Sequence, residues 1–160
     1  MRLINNNDIT FYQQLYTCPD VMRYMGGPMT AEQVTHRFDI LLQKQGNKRV
    51  LQYVISERTQ SVGILTFSWS KTRPGVEWGI MISPTFQGQG VASDALLASI
   101  AFAKHSLQLN SLLTQTDKHN LVTIGFLQSL FEHQALDTLS LDDNHPHILK
   151  HHIGWHINLL

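Results

Sequence analysis

Val76-Glu77-Trp78-Gly79-Ile80-Met81-Ile82-Ser83 alternates in character and then passes, through Pro84-Thr85-Phe86-Gln87-Gly88-Gln89-Gly90, into Val91-Ala92-Ser93 and a long apolar-periodic segment. The alternation has the period of a strand, so Val76, Trp78, Ile80 and Ile82 share one face and Glu77, Gly79 and Met81 the other. From Gly88 to Ser106 the period becomes helical, with Ala92, Leu96 and Ile100 at i, i+4 and i+8 and Leu97 and Ala101 beside them. The first amides of a helix have no intrahelical acceptor and lie at the positive end of its dipole. A helix start thinned by glycine therefore suits a phosphate or pyrophosphate, and a flexible strand-to-helix turn would look the same.

Upstream, Val50 to Ser56 and Val62 to Trp69 also alternate, and the turns between the three segments are polar or contain Pro74-Gly75, which predicts an antiparallel meander. Before it, Thr30 opens a capping box with Gln33 and a helix to about Gln45, with Val34, Phe38, Leu41 and Leu42 on its buried stripe. Gly26-Gly27-Pro28 is a loop. Cys18-Pro19 ends an earlier helix that holds Ile9, Tyr12 and Tyr16 at helical spacing behind Asn7 or Asp8 as N-cap, and Met1 to Ile4 is a short strand. Downstream come a strand at Ser111 to Thr116, a helix at Asn120 to Glu132, and strands at Thr138 to Leu141 and Ile153 to Leu159 around a His-rich loop. This order predicts an α+β fold with a mixed sheet in one domain, residues 1–160. The long helix is a crossover, which makes the strands on either side of it parallel.

Composition excludes more than it identifies. The 160 residues carry 12 Lys+Arg against 12 Asp+Glu, a net charge of zero, and at 42% hydrophobic and 15% charged the chain is neither disordered nor supercharged. Bulk charge thus gives no support for a nucleic-acid or membrane-surface partner, and the densest basic run, Lys44, Lys48 and Arg49, fits a solvated helix end. A lone cysteine, Cys18, cannot form an intrachain bridge and points to a reducing compartment. With neither a signal-like N-terminus nor a membrane-length apolar run, the expected location is cytoplasmic.

Three nucleotide-binding patterns compete for the glycine loop. A Walker loop requires Lys after its second glycine, and none is present. Gly88-Gln89-Gly90-Val91-Ala92-Ser93 comes within one residue of the Rossmann fingerprint, but it follows a meander and lacks the acidic residue about 20 positions on. The third match is a resemblance: Gln87-Gly88-Gln89-Gly90-Val91-Ala92 is similar to the Q/R-x-x-G-x-G/A signature of the GNAT superfamily of N-acetyltransferases. Asn120-Leu121-Val122-Thr123 with Leu130-Phe131 resembles the second signature of that family. Cys18-Pro19-Asp20-Val21-Met22-Arg23-Tyr24 and Gly27-Pro28-Met29-Thr30-Ala31-Glu32 resemble its RimJ/RimL-like branch.

The resemblance implies a mainly antiparallel sheet flanked by helices, whose fourth and fifth strands are parallel and splayed, with acetyl-CoA as co-substrate. Its pantetheine would pair with backbone groups of Met81, Ile82 and Ser83, and its pyrophosphate would meet the loop at Gln87 and Gly88 and the amides of Gln89, Gly90, Val91, Ala92 and Ser93. Glutamate is depleted in strands, so Glu77 within an apolar one is either a surface residue or a functional one; the resemblance makes it the base that takes the amine proton. Where many relatives carry a tyrosine general acid, this chain has Leu127. Thr123 is the nearest hydroxyl by motif, with capping or packing as its alternative role. Asn120 is a good N-cap by type, and the resemblance has it hold the cofactor or the fourth strand.

The resemblance also implies that the Tyr24-Met25-Gly26-Gly27-Pro28 loop walls the acceptor side. Tyr24, Phe67, Trp69 and Trp78 are candidates for that wall, although such aromatics are more often core. Six of nine histidines fall after residue 132: His133, His145, His147, His151, His152 and His156; of these the His145-x-His147 pair with His151 and His152 could ligate zinc or nickel, but only Asp142-Asp143 lies near, so no metal site is expected and the segment fits a solvated loop. The function implied is acetyl transfer from acetyl-CoA to a primary amine, of a small molecule or a protein N-terminus, by direct attack. The alternative is a non-catalytic acyl-CoA sensor of the same fold, and a homodimer is compatible with either.

Overall fold

A computed structural model of the chain describes residues 1–69, 75–132, 139–141 and 151–159. Seven strands, β1 (Arg2–Leu3), β2 (Val50–Glu57), β3 (Gln60–Trp69), β4 (Val76–Ile82), β5 (Ser111–Asp117), β6 (Leu139–Leu141) and β7 (His152–Asn158), form one sheet in the order β1-β2-β3-β4-β5-β7-β6. Among the described residues five α-helices accompany them: α1 (Ile9–Tyr16), α2 (Pro19–Met22), α3 (Ala31–Gly46), α4 (Val91–His105) and α5 (Leu121–Glu132). Every pairing is antiparallel except β4 with β5. The predicted mixed sheet and crossover are therefore both present.

The β4–β5 pairing has a single registered position, Glu77 with Leu113, whereas β5 and β7 pair over seven, from Ser111–Asn158 to Asp117–His152. The two parallel strands touch near their starts and separate toward their C-terminal ends, leaving a fork whose mouth faces the glycine loop.

Side-chain alternation then divides the core in two. On one face, Val76, Trp78 and Ile82 of β4 pack with Val62, Leu65, Phe67, Leu112, Trp155 and Ile157 beneath α4 and α5. On the other, Val54 and Ile64 pack with Tyr12, Leu15, Tyr16, Met22, Val34, Phe38 and Leu41 from α1 to α3, and Met81 lies against that cluster.

Local signals explain most boundaries, and two expectations change. The capping box of α3 forms as predicted: Gln33 N–H donates to Thr30 Oγ1 at 3.3 Å and Thr30 N–H to Gln33 Oε1 at 2.9 Å. Asp8 holds the N-cap position of α1, one of the two expected, but its side chain does not cap that helix. A 3₁₀ turn at Asn6–Asp8 precedes α1, Asn5 Oδ1 caps the Asn7 amide there, and Asp8 reaches back to Asn5 N–H at 2.8 Å. The long helix starts at Val91, not Gly88, because Pro84–Phe86 is a 3₁₀ turn and Gly88 and Gly90 are left-handed.

The predicted stripe of α4 is kept at its centre and lost at its flank: Leu96 is buried and Ala92 and Ile100 pack against the core beside Ala95, Ser99 and Ala103, while Leu97 is 41% exposed and Ala101 is exposed. The indole of Trp78 is satisfied on this face: its Nε1 donates to Ser99 Oγ at 2.8 Å, and Ser99 donates on to Leu96 O at 2.7 Å. A buried indole N–H needs an acceptor, and the small hydroxyl supplies it. No helix among the described residues is long and apolar enough to cross a membrane.

Candidate active site

The glycine loop stands at the mouth of the fork. Gly88 and Gly90 adopt φ of +73° and +82°, a region that costs an L residue roughly 1–2 kcal/mol, and a Cβ at either would meet nothing within 4 Å. Open space above two left-handed glycines leaves the backbone approachable, as a bound pyrophosphate requires. The first helical bond runs from Asp94 N–H to Gly90 O at 3.0 Å, so the amides of Val91, Ala92 and Ser93 precede the intrahelical ladder. The side chains of Gln87 and Gln89 turn back: Gln87 Nε2 donates to Ile82 O at 2.9 Å and Gln89 Nε2 to Thr85 O at 2.7 Å. Both glutamines thus brace the loop, and it is the backbone that presents itself to a ligand.

Of Met81, Ile82 and Ser83, expected to pair with pantetheine at the end of β4, only Ile82 turns toward the fork. Ser83 N–H donates to Val62 O on β3 at 2.8 Å and its carbonyl accepts from Phe86 N–H at 2.9 Å. Backbone direction alternates residue by residue, so Met81 also points to β3, while Ile80 and Ile82 face the gap. The fork edge therefore consists of Ile80 and Ile82, with the Ile82 carbonyl already touched by Gln87.

Glu77 lies half-buried on the face opposite Trp78, at the one registered position of the fork. Gln115 Nε2, from β5, donates to Glu77 Oε1 at 3.1 Å. Two residues along the same face, a Cβ on Gly79 would meet nothing within 4 Å, so open space adjoins the carboxylate. Neither Gln115 nor Gly79 is marked as a site residue by sequence. The Gln115 contact depends on the register of two strands separated by a whole helix, and the Gly79 opening is visible only once its neighbours are placed.

At the start of α5, Asn120 Oδ1 accepts from Thr123 N–H at 3.2 Å and Asn120 Nδ2 donates to Thr116 Oγ1 at 3.2 Å. Asn120 therefore caps α5 and ties it to β5. Thr123 is partly buried one turn in. Leu127, at the position where many relatives have tyrosine, is 1% exposed within the main core. Beside the cap, Asp117 accepts from the His119 N–H at 2.8 Å and lies 2.9 Å from His119 Nδ1, contacts that hold its carboxyl below the ordinary aspartate range.

The loop after α2 bounds a hollow of about 290 Å³ whose lining includes Tyr16, Met22, Met25, Met29 and Arg37, with the Arg37 guanidinium 5.0 Å from the centre of the Tyr16 ring. Gly26 and Gly27, both left-handed, turn the chain around it. Of the four aromatic wall candidates, Phe67 and Trp78 are core and Trp69 packs against the same cluster on the α4–α5 face; Tyr24 is partly buried in the loop. His133, His145, His147, Asp142 and Asp143 lie outside the described residues. Among the described residues no three metal-ligating side chains come together.

The sequence matches the acetyltransferase (GNAT) domain family over residues 1–130. No curated protein sequence matches the chain significantly. Among solved structures, an acetyltransferase from Agrobacterium tumefaciens strain C58 superposes with a TM-score of 0.78 at 18% identity, covering 98% of this chain and 88% of its own. A GNAT-family acetyltransferase from Bacillus anthracis gives 0.74 at 15% identity, covering 99% and 93%. Spermidine N-acetyltransferase from Vibrio cholerae, solved with CoA and spermine, gives 0.74 at 13% identity, covering 99% and 94%. At such identities the superpositions speak for the fold alone, and the match over residues 1–130 carries the assignment. The forked parallel pair and the open glycine turn at its mouth fit the co-substrate that this match brings with it: the chain belongs to the GNAT family of acetyl-CoA-dependent acetyltransferases.

Proposed function

We propose that the protein, as one domain over residues 1–160, transfers the acetyl group of acetyl-CoA to a primary amine by direct attack, with Glu77 as the base. The observation that carries this is the setting of Glu77: a carboxylate at the closed end of the fork, held by Gln115 and facing open space above Gly79. Acetyl-CoA supplies an activated thioester. An amine attacks it only when uncharged, so a carboxylate that accepts its proton, directly or through one water, raises the reactive fraction and contributes typically 10²- to 10⁴-fold. The amides of Val91, Ala92 and Ser93, with Gly88 and Gly90, hold the pyrophosphate, and the Ile82 edge of β4 aligns the pantetheine arm as an added strand would. Asn120 keeps α5 against β5, and the Thr123 hydroxyl is the proton donor we assign to the departing thiolate.

The segments Cys18 to Tyr24 and Gly27 to Glu32 support placement in the RimJ/RimL-like branch, with a small amine or a protein N-terminus as acceptor, and the single Cys18 supports a cytoplasmic setting.

One observation favours a second reading. Leu127 is sealed in the core and cannot serve as an acid, which suits a non-catalytic acyl-CoA sensor. Acetyl-CoA at 100-fold over Kd should add about 2.7 kcal/mol, a rise in Tm of roughly 5–11 °C at about 2–4 °C per kcal/mol. A shift together with free CoA thiol released across an amine panel supports the enzyme. A shift without thiol release supports the sensor, and no shift at any concentration contradicts both.

A further inference from the structure

Gln115 is polar and lies on the site face of β5, with Leu113 two residues before it and Asp117 two after. The alternate residues Leu112, Thr114 and Thr116 are buried toward α4 and α5. Leu113 is in register with Glu77, and beyond it the parallel strands part. Gln115 is thus the first β5 side chain on that face after the closed end of the fork, and its amide spans the opening to reach Glu77 Oε1 at 3.1 Å. A glutamate two residues along an alternating strand from a vacant glycine position has room to swing, and a long side chain loses rotamer entropy when it is fixed. Tying one oxygen from the neighbouring strand removes that freedom before the acceptor arrives.

The other groups on this face leave the contact to Gln115. Ser68 on β3 and Leu113 on β5, the register partners of Glu77, are uncharged, as is Met81 further along β4. The nearest titratable groups in register on the site face are Asp117 on β5 and His156 on β7, the latter across Leu113. No described cation forms a salt bridge with Glu77.

We propose that Gln115 is the positioning residue of the transfer reaction, fixing one carboxylate oxygen of Glu77 so that the other faces the space above Gly79, where the acceptor amine gives up its proton. This rests on the acetyl-transfer reading. The proton passes from the ammonium form of the acceptor to Glu77 and the neutral nitrogen keeps the lone pair that attacks, so no further reactant is required.

A double-mutant cycle on the full chain tests it, read by steady-state kcat and KM together with acetyl-CoA binding and Tm. Gln115→Leu keeps the volume and removes the donor. It should lower kcat roughly 10-fold or more, the scale of a hydrogen bond to a charged group, with acetyl-CoA affinity and Tm nearly unchanged. In a Glu77→Gln background the same substitution should have little further effect, because the carboxylate it positions is gone. Equal losses in both backgrounds, or a loss confined to KM for acetyl-CoA, would overturn the proposal and leave the acetyl-transfer reading intact. If Glu77→Gln itself leaves kcat unchanged, the reading of Glu77 as base falls and this proposal falls with it. Gly79→Ala supplies the steric arm. It should raise KM for the amine while sparing acetyl-CoA binding, and an unchanged amine KM would overturn the location above Gly79.

Discussion

The two faces of β4 are built from the same seven residues and serve opposite ends. Toward α4, Val76, Trp78 and Ile82 are buried, and the one polar atom of Trp78 is satisfied by Ser99. Toward α1 to α3, Glu77 and Gly79 are partly accessible, Glu77 is held from a neighbouring strand, and Gly79 leaves a space that no side chain fills. A period of two suffices to place a sealed core and a reactive carboxylate one residue apart. What separates them is whether each polar group finds its partner within the core or across the fork. Substitutions on one face should therefore act on stability, and those on the other on chemistry.

The largest contrast should come from Trp78→Ala, which empties the core face and removes the donor to Ser99. A cost of about 3–5 kcal/mol corresponds to a Tm lower by roughly 6–20 °C, readable by differential scanning calorimetry; a change below 2 °C would contradict that assignment. At the mouth of the fork, Gly90→Val should cost little stability beyond its backbone strain but weaken acetyl-CoA at least ~100-fold, since affinity there rests on close backbone approach. Wild-type affinity by isothermal titration would refute the loop assignment.

A pair of glycines on adjacent strands sharpens the comparison. A Cβ at Gly63 would lie 2.5 Å from Met81 O and 2.7 Å from Ile82 Cδ1, whereas one at Gly79 meets nothing within 4 Å. Gly63→Ala should therefore destabilise by about 1–3 kcal/mol and Gly79→Ala by less than about 0.5 kcal/mol, measured by urea unfolding. Equal effects would mean that the two faces are packed alike.

The smallest effect is one of pH. Two hydrogen bonds from Arg2, at 2.6 and 2.8 Å, with a further one from the Asn5 amide, hold the Asp8 carboxyl below its ordinary value against the opposing pull of burial. A carboxyl lowered in the folded state contributes stability above its unfolded pKa, near 3.9. That contribution fades as the pH falls through the lower native value. The Tm advantage of the wild type over Asp8→Asn should accordingly shrink below about pH 4; a constant gap down to pH 2 would exclude the ion pair as its source.

Much of this division is legible before folding is considered. The alternation of Val76 to Ile82 assigns Trp78 and Glu77 to opposite faces, the Thr30–Gln33 capping box marks the start of α3, and the closely spaced Gly88 and Gly90 mark a turn that favours glycine. The illegible parts depend on distant partners. Leu97 fits an apolar stripe as well as Leu96 does, and the acceptor that Ser99 offers Trp78 joins the packing of Ala95, Leu96 and Ala103 on the face that is buried. Ser83 looks like a free strand end until β3 claims its amide, and Gln115 becomes a site residue only through the register of β5 against β4. Arg37 lies on the exposed side of α3, and its place over Tyr16 follows from the packing of two helices.

The central claim is that the carboxylate on the open face of β4 takes the acceptor proton, and the turnover of Glu77→Gln tests it most directly. With a competent amine, the variant should bind acetyl-CoA as the wild type does and turn over roughly 10²- to 10⁴-fold more slowly. A variant that binds acetyl-CoA and turns over at the wild-type rate would contradict the account.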